Sequence, residues 1–118
     1  MDYDPISDVV DEPLSISAGA IANLVAFKAQ DKFVNLPGHV PGEKERLTLL
    51  VDSVLDRLIE GISDNPSKLW VMKQFQTYLV DASDEDTEGR EHLAEHLAKI
   101  MDILGIDSSD GLLGFYLG

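Results

Sequence analysis

Apolar residues recur every three or four positions along most of the 118-residue chain, which is the spacing of one face of an α-helix. Glycine, proline and short polar residues separate the segments that show this spacing. The pattern predicts helices at about residues 15–30, 43–63 and 66–81. It predicts a fourth helix that follows an acidic linker at Asp81–Asp86 and ends before Gly105. No segment alternates apolar and polar residues as a strand does. We therefore expect an all-α domain in which four helices form a bundle-like arrangement.

Short polar side chains and glycine mark the ends of these helices. Serine, aspartate and asparagine accept hydrogen bonds from the free N–H groups of a first helical turn, and proline fits the first helical position. Candidate caps are Ser15 or Ser17 for the first helix, Asn65 ahead of Pro66 for the third, and Ser83 or Asp84 for the fourth. Gly105 supplies a left-handed stop after the fourth helix.

Two segments flank the four helices. Residues 1–13 carry acidic residues and prolines but no base, so we expect an acidic, flexible lead-in before a single helical domain at 14–118. At the other end, the Ser108–Gly111 stretch predicts a capped turn, because serine and aspartate side chains bond nearby N–H groups. This turn would fold the apolar end of the chain back as a packed turn or short helix.

The composition limits the classes of partner. Twenty-two acidic residues against nine basic ones give a net charge of −13, which repels phosphate backbones and anionic lipids. No apolar run approaches the roughly 20 residues of a membrane helix, and the start of the chain lacks the features of a secretory signal. The chain has no cysteine, which excludes disulfides and thiolate sites. We expect a cytoplasmic protein that binds neither nucleic acid nor membranes.

Acidic side chains concentrate in two places on the predicted helices. The denser group runs from Asp81 to Glu95 with Arg90 as its one base, and the other follows i, i+4 spacing on the second helix. Like charges at that spacing do not stabilise a helix, so a basic protein partner is one reason for them. The alternative is a solvated face that keeps the protein soluble. The predicted contact residues are Asp84, Glu85, Asp86, Glu88, Glu91, Glu95, Asp52, Asp56 and Glu60.

Two aromatic residues lie off the apolar stripe of the third predicted helix. Trp70 and Tyr78 are candidates for interface anchors, because aromatic side chains dominate many binding hot spots. Aromatic residues are more often core residues, so packing against the proline- and glycine-rich loop at 35–42 or against the C-terminal tail is the favoured interpretation.

One motif points to catalysis. His92-Leu-Ala-Glu95-His96 has the H-x-x-E-H order of the inverted zincins, in which two histidines one turn apart bind zinc and the glutamate activates water. The third ligand would have to be one of the few carboxylates after His96, namely Asp102, Asp107 and Asp110. The alternative is two polar residues on the shoulder of an amphipathic helix, with adventitious metal binding left open. We expect no catalytic residues, no cofactor and no functional metal.

The C-terminal quarter carries a resemblance to a known family. Ile100–Leu113, with Tyr116-Leu-Gly118 at the end, resembles the signature of a bacterial family of unknown function, DUF4844. Similar features lie upstream at Asp86–Glu91, at Phe33 ahead of Pro37 and Gly38, and at Asn65 with Pro66. Gly114-Phe115 departs from the pattern, which would have a more polar residue followed by tryptophan. The resemblance implies a small all-helical domain and brings no catalytic residues.

Three functions are compatible with these features. Small size, a helical scaffold and concentrated negative charge resemble the immunity proteins of bacterial contact-dependent inhibition, so we expect an acidic module that neutralises a basic toxin domain by direct binding. The alternatives are a homo-oligomeric structural or regulatory module and a zinc hydrolase using His92, Glu95 and His96. An adjacent toxin gene would favour the first, light scattering tests the second, and metal content tests the third.

Overall fold

Five α-helices form in residues 3–118, the part of the chain that the computed structural model describes. They are α1 (Ala18–Ala29), α2 (Glu43–Gly61), α3 (Lys68–Leu79), α4 (Thr87–Leu104) and α5 (Leu112–Leu117). Short 3₁₀ turns cover Pro5–Asp8 and Ala82–Asp84, and no strand forms within these residues. The prediction of an all-α domain with four main helices and a short C-terminal helix is confirmed.

The start of α1 and the end of α4 follow the predicted capping chemistry. Ser17 precedes α1, and its hydroxyl accepts a hydrogen bond of 3.0 Å from the Ala20 N–H group. Gly105 follows α4 with a φ of 76°, a left-handed conformation that glycine adopts without steric cost.

The predicted start of α3 at Asn65 and Pro66 is wrong. Ser67 caps this helix, and its hydroxyl accepts a hydrogen bond of 3.1 Å from the Trp70 N–H group. The carbonyl of Pro66 accepts a hydrogen bond of 2.8 Å from the Leu14 N–H group instead of starting the helix. The backbone ahead of α3 therefore contacts a segment far away in the sequence.

The predicted caps of α4 are also wrong. Ser83 and Asp84 lie in the 3₁₀ turn at Ala82–Asp84, because Ala82 is buried in the core and turns the chain before the helix begins. Asp86 occupies the cap position of α4 without a side-chain hydrogen bond. The acidic linker therefore ends at Asp86, as predicted, and α4 starts at Thr87.

The core lies around α2, which packs against α1, α3 and α4. The apolar faces of α2 and α4 are almost completely buried, as are Leu24 and Phe27 of α1. The buried residues of α2 and α4 are Leu47, Val51, Val54, Leu55, Leu58, Leu93, Leu97, Ile100, Met101 and Leu104. Because one face of each helix is fixed in this way, the opposite faces present side chains from a rigid scaffold.

The segment predicted as a flexible lead-in lies along α3 and α5. The Val10 N–H group donates to Asp110 Oδ2 at 2.8 Å, and the Leu69 N–H group donates to Asp11 Oδ1 at 2.9 Å. The first two residues of the chain lie outside the described residues. The segment from residue 3 onward is peripheral, and it extends the surface of the helical domain.

Candidate partner-binding surface

Six of the nine carboxylates predicted to bind a partner lie between the end of α3 and the middle of α4. Three belong to the acidic linker and three to α4 itself. Most of them are exposed, and two are half-buried. The exposed residues are Asp84, Asp86, Glu91 and Glu95, and the half-buried ones are Glu85 and Glu88.

Glu85 is paired within the chain. Arg46 of α2 donates to it through Nη2 at 2.7 Å and through Nε at 3.2 Å to each carboxylate oxygen. This hydrogen bonding raises the pKa of Arg46. The Glu85 side chain is 14% exposed, so the pair is a geometrically specific link between the linker and α2. Glu85 therefore offers less free charge than its neighbours.

Glu88, Glu91 and Glu95 form a continuous line on α4, because residues three and four positions apart share a helix face. We call these three residues the acidic ridge. Four ion pairs form within residues 3–118, and none of them involves the acidic ridge, Asp84 or Asp86. The charge of this surface is therefore not balanced by the described part of the chain.

The acidic strip predicted on α2 is arranged differently. Asp56 forms an ion pair with Lys28, and Asp52 lies 2.8 Å from the ammonium group of Lys32. Glu60 forms no ion pair among residues 3–118 and is exposed. Two of the three carboxylates thus connect α2 to α1 and the residues after it, and a role of this strip in partner binding stays a prediction.

Lys32 is the buried partner of the α2 strip, and the sequence did not indicate this pairing. Its side chain is 1% exposed, and its ammonium group also donates to the carbonyl groups of Lys28 at 2.8 Å and Gln30 at 3.1 Å. Two carbonyl acceptors and the Asp52 carboxylate of the ion pair therefore surround this buried cation. The spacing of the lysines could not reveal this pairing, because Lys32 lies beyond the end of α1 at Ala29, where the i, i+4 rule of a helix does not apply.

Glu43 is a buried carboxylate that the sequence analysis missed. It is the first residue of α2, it is 3% exposed, and its Oε2 atom has no hydrogen-bond partner among the described residues. Burial raises the pKa of Glu43, and the charges of Asp86 and Glu85 raise it further. Gly89 makes room for it, since a Cβ at that position would lie 2.8 Å from Glu43 Oε2. The acidic cluster thus extends from the surface into the interface between α2 and α4.

The H-x-x-E-H motif has a structural role at His96. Its Nδ1 atom lies 2.7 Å from the His92 carbonyl oxygen, and its Nε2 atom accepts a hydrogen bond of 3.2 Å from the Phe33 N–H group. Both ring nitrogens are therefore engaged within the chain, with the proton on Nδ1. The ring also stacks on Phe33, with 4.1 Å between centroids, and burial lowers the pKa of His96.

This geometry does not favour the zinc interpretation of the motif. Glu95 is exposed on the acidic ridge, and His96 would have to give up its bond to the backbone to bind a metal. In the part of the chain that the structure describes, no group of three or more histidine, cysteine, aspartate or glutamate residues is arranged to hold a metal ion.

The family of the chain follows from a comparison with protein-family models. The model of the domain of unknown function DUF4844 matches residues 15–117. The chain belongs to this family. The match confirms the resemblance, whose most specific part is the C-terminal quarter, and it covers all five helices. No curated protein and no solved structure shows significant similarity to the chain. The likeness to immunity proteins stays a prediction.

The DUF4844 domain uses its single tryptophan for packing. Trp70 is half-buried against the end of α2, where a Cβ on Gly61 would come within 2.6 Å of the indole ring. The favoured interpretation of Trp70 as a packing residue therefore fits, and one of its neighbours is Gly61. No helix of the DUF4844 domain within residues 3–118 is long and apolar enough to cross a membrane.

Proposed function

We propose that this DUF4844 domain binds a basic protein partner through the exposed carboxylates at the start and on the outer face of α4. The observation that carries the proposal is the contrast between the two predicted acidic groups. The acids of α2 are largely paired with lysines, whereas Asp84, Asp86 and the acidic ridge form no ion pair within residues 3–118. Unbalanced charge on a rigid surface attracts a partner of opposite charge and accelerates the encounter.

The scaffold under the acidic ridge supports this proposal. Leu93, Leu97 and Ile100 are completely buried on the opposite face of α4, so the helix is fixed against the core. The backbone that carries these carboxylates is therefore ordered without a partner, and binding does not require the helix to form. A preorganised surface loses less conformational entropy on association than a flexible one.

The specific form of the proposal is an immunity protein that neutralises a cognate bacterial toxin domain by direct binding. The small helical scaffold and the net charge of −13 support this form. The first step of the test is to express the product of the gene next to this one and measure its binding to the full chain.

The decisive measurement is the rate at which that gene product associates with the wild-type chain and with two triple variants of it. Glu88→Lys/Glu91→Lys/Glu95→Lys reverses the acidic ridge, and Glu12→Lys/Asp64→Lys/Asp107→Lys is a control with the same change in charge at exposed sites elsewhere. We expect the ridge variant to associate about tenfold more slowly and the control to be affected much less. The wild-type rate should also fall as NaCl rises from 50 to 300 mM, since salt screens charges beyond about 10 Å. An association rate that is insensitive to both would rule out the acidic ridge as the binding surface.

A further inference from the structure

A shallow apolar groove lies between α2 and α3, beside the start of the acidic linker. Leu49, Leu50 and Tyr78 line a hollow of about 320 Å³. A second hollow of about 280 Å³ is lined by Leu47 and Ala82, and it shares Arg46, Leu50 and Asp81 with the first. The two hollows therefore form one continuous groove.

An exposed leucine, Leu49, lies at the edge of the groove. Leu49 is 68% exposed, although it lies on the well-packed helix α2. A single exposed leucine is ordinary on a protein surface. Here, however, it adjoins the half-buried side chains of Leu50 and Tyr78, so the apolar surface is contiguous and concave. Such a hollow accommodates an apolar side chain of a partner.

The rim of the groove is acidic. Asp81, Asp84 and Glu85 border it, and Arg46 is the one base among its lining residues. Arg46 is already paired with Glu85, which leaves the carboxylates of Asp81 and Asp84 exposed at the edge without an ion pair in residues 3–118. An apolar floor with a charged rim is the usual composition of a protein interface.

We infer that this groove is the docking site for an amphipathic basic helix of the partner protein. The inference rests on the proposed function, because it assigns the apolar part of the same interface. The lining residues from Leu47 to Ser53 span about 9 Å of α2, which is room for two apolar side chains one helical turn apart. Lysine or arginine residues of that helix then lie opposite Asp81 and Asp84.

The test uses synthetic helical peptides as probes and ¹⁵N-labelled full-length protein in NMR titrations. The first peptide has leucines at i, i+3, i+4 and i+7 and lysines elsewhere. The second has the same composition in a scrambled order, so that the leucines no longer share a face, and the third replaces every lysine by glutamate. We expect the first peptide to shift the resonances of Leu49, Leu50, Tyr78 and Asp81, and to bind about tenfold more tightly than the scrambled one.

Two variants of the protein test whether the first peptide binds in the groove. Leu49→Gln should weaken the first peptide about tenfold, whereas Val25→Gln, at a 51% exposed position of α1, should leave its affinity unchanged. Equal binding of the ordered and scrambled peptides, with shifts confined to the acidic ridge, would contradict the inference that the groove is the docking site. The proposed function would not be affected by that result. Binding of the glutamate peptide as tightly as the lysine peptide would contradict the proposed function itself.

Discussion

At the scale of single residues, Glu43 couples the stability of the domain to pH. Its carboxylate is buried without a hydrogen-bond partner for Oε2, and burial raises its pKa in the folded state. The folded state therefore binds the proton of Glu43 more tightly than the unfolded state, whose pKa is near 4.5. The stabilising effect of that proton is fully present below pH 4.5 and is lost as the pH rises through the folded pKa.

Replacing this carboxylate tests the effect. Glu43→Gln keeps the shape of the side chain without its charge, so we expect the free energy of unfolding at pH 7 to rise by about 1 kcal/mol. The difference from the wild type should shrink as the pH is lowered towards 4, because the wild-type side chain is then neutral as well. Urea denaturation at several pH values between 4 and 8 measures both quantities.

Glu45→Gln is the matched control for Glu43→Gln. Glu45 lies in the same first turn of α2 and is exposed, so its replacement removes a similar interaction with the helix dipole and leaves burial unchanged. The control should be neutral or slightly destabilising. If both variants lose stability equally at pH 7, burial of the Glu43 charge does not weaken the fold.

His96 illustrates a residue whose role the sequence could not specify. The i, i+4 spacing of His92 and His96 is correct for a metal site on a helix. However, the two partners of the His96 ring are backbone groups, namely the His92 carbonyl and the Phe33 N–H group. Phe33 lies in a loop far away in the sequence. Phe33 presents this group from a left-handed conformation with a φ of 59°, which no local pattern predicts.

At the scale of elements, Lys32 links the end of α1 to α2 through its ion pair with Asp52 and its hydrogen bonds to two carbonyl groups. Lys32→Met keeps an unbranched side chain but removes the donor to two carbonyl groups and the cation that pairs with the Asp52 carboxylate. We expect a loss of about 3 kcal/mol in the free energy of unfolding, as is typical when one partner of a buried pair is removed. Urea denaturation at pH 7 measures it.

Lys44→Met provides the control for Lys32→Met. Lys44 is an exposed residue of α2 that forms no ion pair among residues 3–118, and its replacement changes the net charge equally. It should change the free energy of unfolding by less than about 0.5 kcal/mol. Similar losses in the two variants would show that net charge, and not the Lys32 contacts, determines the effect.

The helices themselves were predictable, because their signals are local. The apolar stripe of α2, the Ser17 cap and the Gly105 stop depend on neighbours within a few residues. The errors at the starts of α3 and α4 arise where distant parts of the chain compete for the same groups. The Pro66 carbonyl accepts a hydrogen bond from Leu14, and Ala82 is buried in the core. The predicted caps Asn65, Ser83 and Asp84 are therefore not used, although each is a suitable cap residue by local sequence.

At the scale of the whole molecule, the sequence predicts the amount of charge but not which carboxylates are paired. The predicted contact residues include Asp52, Asp56 and Glu85, which bond to bases on other elements. Pairing depends on how helices lie against one another, whereas a count of acids depends only on composition. The apolar groove is likewise formed by α2, α3 and the linker together, so no single segment indicates it.

The excess of acidic over basic residues makes the stability of the molecule sensitive to ionic strength. With a net charge of −13 and four ion pairs in residues 3–118, repulsion among exposed carboxylates opposes folding more than ion pairs favour it. Raising NaCl from 10 to 500 mM should screen this repulsion and increase Tm by about 4 °C, equivalent to about 1 kcal/mol. Calorimetry at pH 7 measures the shift.

The ridge variant Glu88→Lys/Glu91→Lys/Glu95→Lys separates repulsion from other effects of salt. Each reversal adds two positive charges, so the net charge changes from −13 to −7. If repulsion is responsible, the variant should gain less Tm from the same salt increase, because less charge remains to be screened. General salting-in or salting-out would shift both proteins equally, and a Tm that falls with salt in the wild type would show that the four ion pairs outweigh the repulsion.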